Sequence, residues 1–177
     1  MMMNDKQSNS THLHYSPSAK HSIGVRHEYL RDSKSHLNMV QLNNLLKRWN
    51  KKNEQANFYL KSAIGIAYED NSIEPVGTIG ITTDWETRRY FVSYENRILY
   101  AGDIEKNIHH KTRIGIAPYI GDYGDLHTWI MLQADYDAGK SDSFSATPLL
   151  RVFKGSHLIE AGYNFDNALQ LNYIKRF

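Results

Sequence analysis

The chain contains no cysteine. That excludes a disulfide scaffold, thiolate metal sites and thiol redox chemistry. It also lacks any apolar run of about 18 residues, so no transmembrane helix is encoded. Charge of one sign is missing too: 21 Lys and Arg stand against 19 Asp and Glu, a formal net charge of +2. Such a balance gives no general attraction to nucleic acid or anionic lipid. Phosphate-cradling glycine loops and Walker motifs are absent, and Arg88-Arg89 is too short a basic run for a nucleic-acid patch. The opening MMMNDKQSNS has no apolar h-region, so an exported protein of this sequence is expected to be a trimmed mature form or to have a mis-called start.

What is present is ordinary in bulk and unusual in pattern. Hydrophobic residues make up 41% and charged residues 23% of 177 positions, a composition that folds, at a length that suits one domain. Residues 1–20 are rich in Ser, Asn, His and Lys without periodicity and are expected to be a mobile tail. Residues 21–177 are expected to be a single domain, because nothing resembling a linker interrupts them. Across this stretch apolar and polar residues alternate with period 2. Strand 58–68 sets Phe58, Leu60, Ile64, Ile66 and Tyr68 against Lys61, Ala63, Gly65 and Ala67. Similar alternation predicts strands near 22–30, 76–87, 90–101, 112–120, 126–136, 144–153, 157–165 and 169–177. Segment 37–49 has no readable register, and its Leu42, Leu45, Leu46 and Trp49 also fit a helix face. Pro118 and Pro148 are expected near strand ends or bulges. With short polar connections, these segments predict an all-β, closed, up-and-down antiparallel barrel of about ten strands, within a range of eight to ten.

Three features bear on which face is inside. Small residues such as Gly24, Gly65, Gly80 and Gly115 share the polar face, where a crowded lumen suits them better than water does. Charges on that face balance, and Glu95, Arg97, Arg113, Asp135, Arg151 and Glu160 are expected to form a paired network in the lumen. Aromatic residues bracket the apolar face: Phe58 and Tyr68, like Tyr90 and Tyr100, are ten positions apart. At about 3.3 Å per residue and a tilt of about 40°, that separation spans roughly 25 Å, the height of a lipid-facing band. Phe58, Tyr68, Trp85, Tyr90, Tyr100 and Tyr136 are therefore the expected aromatic girdles.

The last strand, Leu169-Gln170-Leu171-Asn172-Tyr173-Ile174-Lys175-Arg176-Phe177, ends on an aromatic with Tyr173, Leu171 and Leu169 at alternate positions before it. This resembles the C-terminal assembly signal of Gram-negative outer-membrane β-barrel proteins; Lys175 departs from it. The resemblance implies a transmembrane barrel of the bacterial outer membrane, with outer-membrane lipid and the barrel-assembly machinery as partners. It also implies that both chain ends lie on the periplasmic side.

Candidate chemistry is sparse. The histidines, His12, His14 and His21 in the tail and His109 and His110 in a loop, are expected to be solvated rather than metal-bound. Asp125, His127 and Asp135, with Ser93 or Ser145, carry a weaker suggestion of hydrolase or acyltransferase chemistry. The expected protein is a monomer without metal, cofactor or nucleic acid. Its expected role is structural, or a narrow porin-like passage for solutes or ions. The alternatives are a lipid-modifying enzyme of the same fold and a soluble lipocalin-like barrel holding an apolar ligand.

Overall fold

The computed structural model describes residues 1–122, 124–138, 140 and 143–176. These form twelve strands: β1 (Met2–Asn4), β2 (Ser8–Tyr15), β3 (His21–Leu30), β4 (Ser35–Asn50), β5 (Glu54–Glu69), β6 (Ser72–Thr87), β7 (Tyr90–Ala101), β8 (Glu105–Ile116), β9 (His127–Ala138), β10 (Phe144–Lys154), β11 (His157–Tyr163) and β12 (Leu169–Lys175). Each pairs with its sequence neighbour, and β1 closes the ring by pairing antiparallel with both β2 and β12. The expected all-β, closed, up-and-down antiparallel barrel is thus present, with twelve strands in place of about ten.

The two extra strands come from residues 1–20, expected as a tail. In β2 only Leu13 and Tyr15 are large apolar residues turned outward, while Ser10 and His12 are buried inside. The alternation is there, but two outward hydrophobes are too few to stand out from a polar segment. β1 has three residues and no pattern at all. Without this pair β3 and β12 would be open edges, with unpaired backbone groups.

Two further departures have local causes. β4 is a single strand, and its register shifts between Leu45 and Lys47. The extra residue at Leu46 reverses the phase of the alternation, as a β-bulge does, so Leu42 and Trp49 both face outward at an odd spacing. β8 begins at Glu105, so the connection expected between strands 90–101 and 112–120 is only a turn, with Gly102 at φ 55°. Of the prolines, Pro118 follows the end of β8 as expected, whereas Pro148 lies within β10. It sits one residue past the last rung of the β10–β11 ladder, Leu149 opposite Gly162, where a missing N–H is least costly.

Most of the wall is apolar outside and polar inside. Outward positions carry Val25, Val40, Ile64, Ile79, Ile98, Ile114, Leu132, Leu150 and Leu171, all exposed. Inward positions carry Glu28, Gln41, Gln133, Asp135, Thr147, Glu160 and Asn172, all buried. One inward patch is apolar: Leu37, Met39, Ala63, Ala67, Val76, Leu99 and Ala101 pack together, with Leu30 and Ile104 against them. The C-terminal rim holds the turns at 51–53, 88–89 and 155–156 and the end of β12. The far rim holds the turns at 5–7, 31–34, 70–71 and 102–104.

Inward glycines allow the wall to bend. A β-carbon on Gly80 would sit inside van der Waals contact of the Asn96 carbonyl oxygen on β7, and one on Gly65 would meet the Asn38 carbonyl on β4. Backbone cannot yield as a side chain can. Gly80→Ala is therefore expected to prevent recovery of the folded barrel on refolding, while Gly77→Ala, where the nearest atom is 4.0 Å away, refolds normally. Circular dichroism and gel mobility check this.

Candidate functional site

Twelve strands enclose more space than eight, in which side chains alone fill the interior. The lumen is the concave site of this molecule, and ion pairs that span it organise it. Glu28 on β3 is 1% exposed. Its Oε1 accepts from Arg97 Nη1 at 2.8 Å and Arg26 Nη2 at 2.9 Å, and its Oε2 accepts from Arg97 Nη2 at 2.7 Å. Arg97 lies on β7, four strands away, so this bidentate pair bridges the interior. Arg113 on β8 reaches Glu160 on β11 at 3.3 Å. Arg151 donates to the same Glu160 oxygen at 2.7 Å, and Asn172 Nδ2 to the other at 2.8 Å. Gln133 and Gln170 exchange amide hydrogen bonds at 3.1 and 3.2 Å. Lys61 donates to Glu95 at 2.6 Å.

The six residues expected to form one lumenal network all face inward, and the structure divides them. Arg113 and Arg151 both meet Glu160 Oε1. Glu95 goes to Lys61, Arg97 to Glu28, and Asp135 to His109 Nε2 at 3.2 Å and Gln133 at 2.6 Å. Sequence alternation gives the face but not the height at which a tilted strand presents each residue. Charges on adjacent strands can therefore miss one another and pair across the lumen instead.

The far rim is crossed in the same way. Lys140, beside the β9–β10 connection, donates to Asp32 of the β3–β4 turn at 2.7 Å. These connections lie on opposite sides of the ring. The Gln7 side-chain amide, in the β1–β2 turn, donates to Asp137 on β9, which also accepts from Asn107 at 2.7 Å and faces His109 Nδ1 at 2.9 Å. Gln7, Asp32 and Lys140 separate an outer vestibule of ≈ 380 Å³ from an inner chamber of ≈ 320 Å³. The C-terminal rim is filled differently. Phe91 and Trp129 meet edge to face with centroids 6.2 Å apart, Arg151 stacks over Phe91 at 4.8 Å, and His127 lies against Phe153.

Several of these residues escaped the sequence reading because their segments did. His12 and His14 are lumenal residues of β2, not tail residues, and His109 is a lumenal residue of β8, not a loop residue. Their only signal was the outward Leu13 and Tyr15 at the intervening positions, and Ile108 beside His109. Among the described residues no group of three His, Asp or Glu side chains is set to hold a metal ion. Nor, among them, does His127 share a hydrogen bond with Asp125, Asp135, Ser93 or Ser145.

The remaining expected residues lie on the outer face. Tyr68, Tyr100 and Tyr136 stand near the far rim, and Trp85 and Tyr90 flank the 88–89 turn at the C-terminal rim, with Phe58 above them. Leu169 and Leu171 are exposed on β12, and the Tyr173 hydroxyl lies 2.8 Å from His157 Nδ1. Phe177, the last residue of the expected assembly signal, falls outside the described residues.

Comparison with protein-family models, curated proteins and solved structures found no match in any of the three.

Proposed function

We propose that this chain is an integral β-barrel of the bacterial outer membrane, whose lumen is a narrow, charge-barred passage for small solutes or ions. One observation carries the reading: the barrel is apolar outside and charged inside. In water this would expose an apolar belt around the whole circumference, far beyond the few hundred Å² that soluble monomers tolerate. In lipid it buries that belt, and strand closure leaves no open sheet edge to meet the hydrocarbon. Aromatic residues near both rims suit the two membrane–water interfaces. A soluble barrel carrying an apolar ligand needs the opposite polarity. The enzyme reading rests on the His127 constellation, whose members share no hydrogen bond among the described residues.

Outer-membrane lipid and the assembly machinery are the partners this reading implies, the latter through Leu169, Leu171, Tyr173 and Phe177. The far rim then faces outward and the C-terminal rim the periplasm. The cross-lumen bridges at Glu28, Glu160 and Asp137 restrict the passage, so open porin-type conduction is not expected. The test uses the absence of native cysteine: single cysteines at outward and inward positions, labelled with a fluorophore, report lipid and water in alternation.

A further inference from the structure

We propose that the inner chamber is a binding site for a small hydrophilic organic anion, a carboxylate carried on a short hydroxylated chain. This inference rests on the membrane-barrel reading and names the class of solute its lumen takes.

Charge on the chamber wall is segregated by depth. Its deep part presents four cations, Arg26, Lys61, Arg97 and Lys111, and two carboxylates, Glu28 and Glu95. Both carboxylates are committed. Glu28 accepts three guanidinium hydrogen bonds, and Glu95 Oε2 accepts from Lys61 at 2.6 Å and Thr82 at 3.1 Å. The acidic groups left on the wall, Asp5, Asp32 and Glu105, belong to the far-rim end. There Asp32 takes Lys140, and Asp5 accepts the backbone N–H groups of Gln7 and Ser8.

A donor census gives the same sign. A guanidinium carries five N–H donors and an ammonium three. Arg26 spends one on Glu28 and Arg97 spends two, and the Nε of each is buried without a partner. Lys111 is 3.8 Å from its nearest carboxylate, Asp135, which is beyond hydrogen-bond length. Donors therefore outnumber acceptors in a confined space, where an unmatched positive charge is costly. A carboxylate supplies what is missing, two acceptor oxygens and one negative charge, in the planar geometry that guanidinium groups recognise.

The other walls specify the rest of the solute. Gln41, Asn43 and Thr78, inward on β4 and β6, line the chamber with amides and a hydroxyl, and Gln41 Oε1 is buried without a partner. These groups suit hydroxyls of a polyol chain. A volume of ≈ 320 Å³ lies at the small end of ligand sites.

Gluconate is the probe, with sorbitol as its uncharged counterpart of similar size. Thermal unfolding of the full chain in detergent is followed as each is titrated at matched ionic strength. Gluconate is expected to raise the transition temperature saturably, and sorbitol is not. Lys111→Gln, which breaks no hydrogen bond of the wall, is expected to weaken gluconate at least about tenfold, or 1.4 kcal/mol. Arg26→Gln is expected to do the same if it folds. Equal shifts from both probes, no shift from either, or an undiminished gluconate effect in Lys111→Gln would overturn the proposal. A protein that folds without detergent yet still selects gluconate would keep the site and overturn the membrane reading.

Discussion

Replacing Ile79 or Leu132 by arginine is expected to cost about 2–4 kcal/mol of stability in lipid vesicles, the penalty for a cation on the lipid face at the bilayer midplane. Both lie near the middle of their strands, β6 and β9, and both are exposed outward. Ile79 stands between Ser62 on β5 and Ile98 on β7, so an arginine there has no acidic neighbour on its rungs. The penalty should fall towards zero at Ile116, which is paired with Tyr90 at the C-terminal rim, since the cost declines towards the interface. Urea titration of vesicle-embedded protein measures all three. In a soluble barrel the order inverts: the same arginines would sit in water and be neutral or favourable. Neutral values at Ile79 and Leu132 would therefore contradict the assignment of the outer face.

A second large effect is expected at the opposite face. Glu28→Gln removes the one carboxylate shared by Arg26 and Arg97 and leaves two guanidinium groups facing each other in a confined lumen. Removing one partner of a buried ion pair costs roughly 3–5 kcal/mol, because the charge left behind is uncompensated. Glu28→Gln should therefore destabilise the barrel more than Arg97→Gln, which still leaves Arg26 on Glu28 at 2.9 Å. Thermal unfolding in detergent ranks the two. A Glu28→Gln protein as stable as the parent would mean that water enters freely around the bridge and that the lumen is wider than the pairs across it indicate.

The outer face was almost wholly legible in the sequence; the lumen was legible only as a list. Alternation put Ile64, Ile79, Ile98, Ile114, Leu132 and Leu171 on one face, because a period of two follows from the pleat and needs no partner strand, and the small residues, balanced charges and spaced aromatics pointed that face outward. The same rule set Glu95, Arg97, Arg113 and Asp135 inward. It did not pair them, since pairing depends on strand tilt and stagger, which arise only when the ring closes. β4 defeated the rule locally, because one inserted residue at Leu46 inverts the phase. β1 and β2 were invisible for another reason: a lumen-facing strand of Ser, His and Asn residues looks like a solvated tail unless its outward positions are strongly apolar. Missing them hid His12, His14 and Gln7, and with them one side of the chamber and the far-rim bridge to Asp137.

The central claim is that lipid surrounds this barrel and water is confined to its interior. Cysteine substitution at Ile79, Gly80 and Ile81 would alternate faces, but Gly80 does not tolerate a side chain, so β9 is the better ruler. Single cysteines at Ile130, Met131, Leu132, Gln133 and Ala134, each labelled with an environment-sensitive fluorophore in reconstituted vesicles, are read with a lipid-confined quencher and a water-soluble one. The account predicts strong lipid-phase quenching at Ile130, Leu132 and Ala134 and little at Met131 and Gln133, a strict period of two. Uniform quenching by the aqueous reagent at all five positions, with none from the lipid phase, would contradict it.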